Sequence, residues 1–103
     1  MTKVTTHVLD TAAGRPAARV PVSLHERGPE GSWRQVGDDA VTNTDGRIEA
    51  LPGVGPGVYR LVFDTATPFF DEVVVTFRVA ADDTRLHIPL LLSPFGYSVY
   101  RGS

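Results

Sequence analysis

The chain has 103 residues, 42% of them apolar and 21% charged, with a formal net charge of −2 and no cysteine. A chain of this length forms one domain, residues 1–103, with a modest core that buries roughly 65% of its unfolded surface. The composition excludes a disordered polymer, the weak negative charge gives no reason to expect nucleic acid or an anionic membrane as partner, and the absence of thiols excludes a disulfide framework, a thiolate nucleophile and a thiolate metal site.

No apolar run approaches the ~20 residues a membrane helix needs. Met1-Thr2-Lys3 leads straight into strand-like sequence rather than a signal peptide's apolar core. Export is therefore not expected, and a cytoplasmic location is.

In chain order, residues 3–10 alternate, with Val4, Thr6 and Val8 on one face and Thr5, His7 and Leu9 on the other, which predicts a half-buried strand with His7 turned from the core. Residues 11–16, with Gly14 and Pro16, form a turn. Residues 20–26 alternate through Val20, Val22 and Leu24, leaving Ser23 and His25 outward. Gly28-Pro29-Glu30-Gly31 closes a hairpin to a strand over 32–36. Asn43-Thr44-Asp45-Gly46 is a second corner, because Asn, Asp and Gly tolerate positive φ. A short strand over 47–51 follows, closed by the Gly and Pro residues of 52–57.

Residues 58–64 set Tyr59, Leu61 and Phe63 on one side, and residues 71–79 set Val73, Val75, Phe77 and Val79 inward. After a turn at 80–84, an apolar strand over 85–92 carries His87 on the face of Pro89 and Leu91. It runs through Ser93-Pro94-Phe95-Gly96 into a polar-aromatic closing strand. Nowhere does a 3.6-residue period persist long enough for a stable helix. About eight short strands with regular turns predict an all-β, antiparallel β-sandwich.

Chemistry must come from few residues. His7 and His87 each suit either a structural imidazole or acid-base work near neutral pH, whereas His25 reads as an exposed strand residue. Arg47, directly after the Thr44-Asp45-Gly46 corner, is either a solvated strand end or a forked cation that holds a carbonyl or anionic oxygen. Asp38 and Asp39 read as a solvated loop. Two histidines without carboxylates at ligand spacing make a weak zinc pattern, and no phosphate loop, dinucleotide fingerprint or nucleophile elbow is present. Leu9, Pro89 and Leu91 form an outward apolar row, the kind of patch that marks an interface.

Thr6-His7-Val8-Leu9-Asp10-Thr11, Gly14-Arg15-Pro16-Ala17, Thr42-Asn43-Thr44-Asp45-Gly46-Arg47, His87-Ile88-Pro89-Leu90-Leu91-Leu92-Ser93-Pro94 and the closing Tyr100-Arg101-Gly102-Ser103 together resemble the 5-hydroxyisourate hydrolase family. That family is the enzymatic branch of the transthyretin-like proteins, and the hormone-binding branch lacks these histidines and this ending. The resemblance implies a transthyretin-like sandwich, paired edge to edge into dimers and then into a homotetramer, a dimer of dimers, whose channel holds the active sites. It implies His7, Arg47 and His87 as catalytic residues and His7, Arg47, Tyr100 and Ser103 as substrate-binding ones, with no cofactor and no metal. The implied reaction is hydrolytic opening of 5-hydroxyisourate to 2-oxo-4-hydroxy-4-carboxy-5-ureidoimidazoline in urate degradation. The alternative is a non-enzymatic transthyretin-like sandwich that binds a small molecule or a partner.

The chain departs from the family between residues 64 and 71. There the family carries a longer connection with a short helix, then an aromatic-Pro-Glu segment that Phe70-Asp71-Glu72 resembles without its proline. Thr65-Ala66-Thr67-Pro68-Phe69-Phe70 leaves little room for a helical turn, so the helix is expected to be missing or vestigial.

Overall fold

A computed structural model describes residues 1–49 and 51–103. Among the described residues ten strands carry the fold: β1 (Lys3–Asp10), β2 (Arg15–Pro16), β3 (Pro21–Arg27), β4 (Trp33–Gln35), β5 (Ala40–Val41), β6 (Arg47–Ile48), β7 (Gly57–Asp64), β8 (Glu72–Val79), β9 (Arg85–Ser93) and β10 (Gly96–Val99). One sheet runs β10-β9-β1-β2, with β6 also on β1; the other runs β4-β3-β7-β8, with β5 also on β3. Seven pairings are antiparallel, and the central β1–β9 pair is parallel over all eight residues of β1. Among the described residues there is no helix.

The period-2 pattern decides which side of each strand enters the core. Val4 and Val8 from β1 and Leu86, Ile88, Leu90 and Leu92 from β9 face Val22, Leu24, Tyr59, Leu61, Phe63, Val73 and Val79 of the other sheet, all of them buried. Each fully buried Leu or Phe contributes about 1.5–3 kcal/mol. Buried hydroxyls are satisfied, as burial requires: Thr6 Oγ1 donates to the Ile88 carbonyl at 2.7 Å, while Thr42 Oγ1 donates to Ala17 O and accepts from Val20 N–H, both at 2.8 Å.

Several expectations change in detail. Residues 15–16 are part of the turn in the sequence reading, yet pair with β1 as β2, and the two-residue β5 lies beside the loop that holds Asp38 and Asp39. β2 closes a local hairpin onto the end of β1, whereas β5 reaches back past β4 to the start of β3. The strand expected over 47–51 is observed at Arg47–Ile48, and Ala50 lies outside the described residues. Pro89 is buried rather than part of an exposed row, with Leu9 and Leu91 half-buried. Its compact ring stands in mid-sheet, opposite His7 on β1. His25 is half-buried too, with Ser23 Oγ 2.8 Å from its Nε2.

The crossing from β7 to β8 holds no helix. Thr67 folds it instead: its Oγ1 accepts the Phe70 N–H at 2.6 Å, and its own N–H donates to the Phe70 carbonyl at 2.9 Å. Phe70 then packs edge-on to Phe69 and Tyr97, with ring centroids at 4.9 and 5.1 Å. The short link is thereby tied to β10.

Candidate active site

The outward face of the first sheet gathers the candidate residues because odd-numbered positions of β1 and β9 share it. β1 and β6 set His7 directly opposite Arg47, and β1 and β9 set His7 beside Pro89. β10 pairs with β9 as far as Val99↔Leu90, and the pairing resumes in the same register at the His87–Gly102 bridge, so Tyr100 stands opposite Pro89. One rung across four strands therefore reads Tyr100, Pro89, His7, Arg47. The adjoining rung reads Gly102, His87, Thr5. Strands spaced about 4.8 Å apart bring both imidazoles and the guanidinium around one patch.

Arg47 is delivered by the Asn43-to-Gly46 corner. Asn43 Oδ1 accepts the N–H groups of Asp45 and Arg47 at 2.9 and 3.1 Å, and Asn43 N–H donates to Arg47 O at 2.8 Å. Gly46, at φ +74°, gives its carbonyl to Val8 N–H at 2.8 Å, which docks the corner on β1. A Cβ at Gly46 would run into the Val8 carbonyl oxygen, so the close approach and the positive φ both demand glycine. Arg47 itself is exposed and, among the described residues, in no ion pair.

His87 is the more confined imidazole. Thr5 Oγ1 lies 2.9 Å from its Nδ1, and Gly102 N–H donates to its carbonyl at 2.7 Å. Gly102 lies so close to the ring that an added Cβ would stand 2.6 Å from Cδ2. Burial lowers the His87 pKa from 6.5, and Arg47, Arg85 and His7 lower it further by charge repulsion, against a smaller upward pull from the Thr5 main chain. These effects favour the neutral ring.

His7, Arg47 and His87 thus share this face, and the register brings Tyr100 beside Pro89 on it; Ser103 lies one position past the Gly102 bridge and is exposed, and His25 lies on β3 of the other sheet. Asp38 and Asp39 are not part of it; Asp39 accepts from Gln35 Nε2 at 2.6 Å. Among the described residues, no three His, Asp or Glu side chains are grouped to hold a metal, and no helix is long and apolar enough to cross a membrane. Sequence reasoning missed Thr5, and it placed Gly102 in the closing segment without its contact to His87. Thr5 shares His7's face by simple alternation, but its contact is with a residue 82 positions away.

The chain matches the family described as "Transthyretin: HIUase/Transthyretin family" over residues 4–102. It is 42% identical over 117 aligned positions to "5-hydroxyisourate hydrolase 2" of Rhizobium meliloti (strain 1021), covering 98% of this chain and 96% of the relative. It superposes on 5-hydroxyisourate hydrolase of Klebsiella pneumoniae with a TM-score of 0.84 at 31% identity, covering all of both chains. Sea bream transthyretin in complex with thyroxine gives 0.89 at 30% identity, over 96% of this chain and 93% of that one. With its sandwich, its match from Val4 to Gly102 and relatives of this similarity, the chain belongs to the HIUase/transthyretin family.

Proposed function

We propose that this protein hydrolyses 5-hydroxyisourate to 2-oxo-4-hydroxy-4-carboxy-5-ureidoimidazoline in urate degradation. The observation that carries the reading is the placement of His7, Arg47 and His87 on adjoining rungs of one sheet face, with burial and the nearby cations lowering the His87 pKa. Opening a cyclic amide with water needs a base, a cation for the developing oxyanion and a proton for the leaving nitrogen.

His87 is the base. The Thr5 hydroxyl has the Leu86 carbonyl as its own acceptor at 3.5 Å, which leaves Thr5 Oγ1 to accept from Nδ1–H and leaves Nε2 with its lone pair free. Water gives its proton to Nε2 and its oxygen bonds to the substrate carbonyl carbon. The ring C–N bond then breaks, and the departing nitrogen takes up the proton carried by the imidazole pair His87 and His7. A positioned acid or base contributes ~10²–10⁴-fold. Arg47 holds the carbonyl oxygen and stabilises its negative charge, worth roughly 3 kcal/mol for a well-aimed donor. Tyr100, on the His7 rung, walls the substrate, and Ser103 orients it or the water. Ser103 has no base activating it for covalent attack.

In this reading residues 1–103 are a single domain working in the cytoplasm as a homotetramer, a dimer of dimers. The half-buried Leu9 and Leu91 beside the site suit burial against another subunit. Similarity to a thyroxine-bound transthyretin favours a second reading, a carrier that binds without turnover. One experiment separates them: 5-hydroxyisourate is generated from urate with urate oxidase and its absorbance followed with and without the protein. Decay that accelerates in proportion to protein supports the hydrolase; decay at the spontaneous rate supports the carrier.

A further inference from the structure

Beyond Val99 the closing segment has little ladder to hold it. His87 turns its main-chain groups toward this segment, since its carbonyl accepts from Gly102 N–H, and Leu92 turns its carbonyl the other way, to Thr11 N–H on the β1 side. By that alternation Pro89 also faces the segment, and it has no N–H to give the Tyr100 carbonyl. The ladder accordingly breaks between the Leu90–Val99 pair and the His87–Gly102 bridge. A bridge of that kind at the end of a strand frays unless something else ties it.

The tie falls inside the break. Arg101 Nη2 donates to Asp83 Oδ1 at 3.2 Å. Asp83 is a fixed anchor: its Oδ2 accepts the Ala80 N–H at 2.8 Å, its carbonyl accepts from Thr2 Oγ1 at 2.6 Å, and its side chain is only 15% exposed. The next residue, Thr84, accepts the Lys3 N–H at 3.0 Å, joining the anchor to the start of β1. Arg101 alternates to the side opposite Tyr100 and Gly102, so it touches neither histidine's face.

We propose that Arg101 is a positioning residue: its ion pair with Asp83 latches the closing segment so that Gly102 stays on the His87 backbone and Tyr100 stays opposite Pro89. This rests on the hydrolase reading above. The pair bridges the gap left by Pro89, and it acts through Gly102 rather than on substrate.

The test follows two signals in the full-length protein, hydrogen exchange of the Gly102 amide by NMR and kcat/KM on freshly generated 5-hydroxyisourate. Because Arg101 is 68% exposed, its latch is that of a surface ion pair, and Arg101→Gln should speed Gly102 exchange and lower kcat/KM, each about two- to five-fold. Arg101→Lys, which keeps the charge toward Asp83, should recover part of both. Near 1 M salt, where screening acts within about 3 Å, wild type and Arg101→Gln should converge. Unchanged Gly102 exchange in Arg101→Gln overturns the latch, and faster exchange with unchanged turnover overturns the positioning role. A wild type that leaves the substrate to decay spontaneously refutes the hydrolase reading instead, and the exchange measurement still decides whether the latch exists.

Discussion

Gly102→Ala tests how tightly the closing segment and His87 fit. The new Cβ would stand 2.6 Å from His87 Cδ2, 3.3 Å from Cγ and 3.4 Å from Cβ. An ordinary carbon–carbon contact is ~3.5–4.0 Å, so something must move by about 1 Å. If the segment moves, the Gly102 N–H leaves the His87 carbonyl; if the ring moves, Nδ1 leaves Thr5 Oγ1. A misplacement of this size in a site costs about 10²-fold, equivalent to ~2.7 kcal/mol of transition-state stabilisation. The expected kcat/KM on 5-hydroxyisourate is therefore ~100-fold below wild type, with the thermal midpoint little changed because the segment lies outside the core. Gly96→Ala at the start of β10 is the control, since its Cβ would meet only Ser93 Oγ at an ordinary 3.6 Å. A Gly102→Ala rate within about two-fold of wild type would falsify the claim that this packing holds the imidazole.

Four further outcomes are expected. Because burial and then Arg47 hold His87 below 6.5, kcat/KM should rise with pH through a midpoint below 6.5 and level off above that midpoint, and an NMR titration of the His87 ring should move upward in Arg47→Gln; a midpoint above 6.5 in the wild type sinks this. The same depressed pKa means the unfolded chain takes up its proton first, so the His87 contribution to stability is present above pH 6.5 and lost as pH falls through the folded-state value, readable as a falling urea midpoint. Thr5→Val should cut kcat/KM by about tenfold by freeing the His87 tautomer, and Thr5→Ser should restore it; equal rates for the two variants exclude a role for the hydroxyl. Gly46→Ala forces a side chain into φ +74° and against the Val8 carbonyl, so a loss of about 3 kcal/mol by denaturant titration is expected, and Arg47 should lose its place opposite His7.

How much could be read before folding depends on the range of the interaction. Alternation along Lys3–Asp10 and Arg85–Ser93 is a property of neighbours, so the chain alone determined which residues enter the core, that His7 and His87 face away from it, and that Asn43 and Gly46 turn a corner before Arg47. The short 65–70 link likewise left little room for a helix, and none forms there.

What neighbours cannot specify is register. The parallel pairing of β1 with β9 joins residues 82 apart, and it alone sets Thr5 against His87 and His7 against Pro89. A slip of one residue would have turned every candidate to the other face. Pro89 shows the division most plainly. As sequence it belonged to an exposed row, whereas in the sheet it is buried and interrupts the ladder to the closing segment. Composition and period determined the faces. Only tertiary pairing decided that Tyr100, His7 and Arg47 share one rung and Gly102, His87 and Thr5 the next, because hydrogen-bond register between distant strands is settled when the two sheets close on a common core.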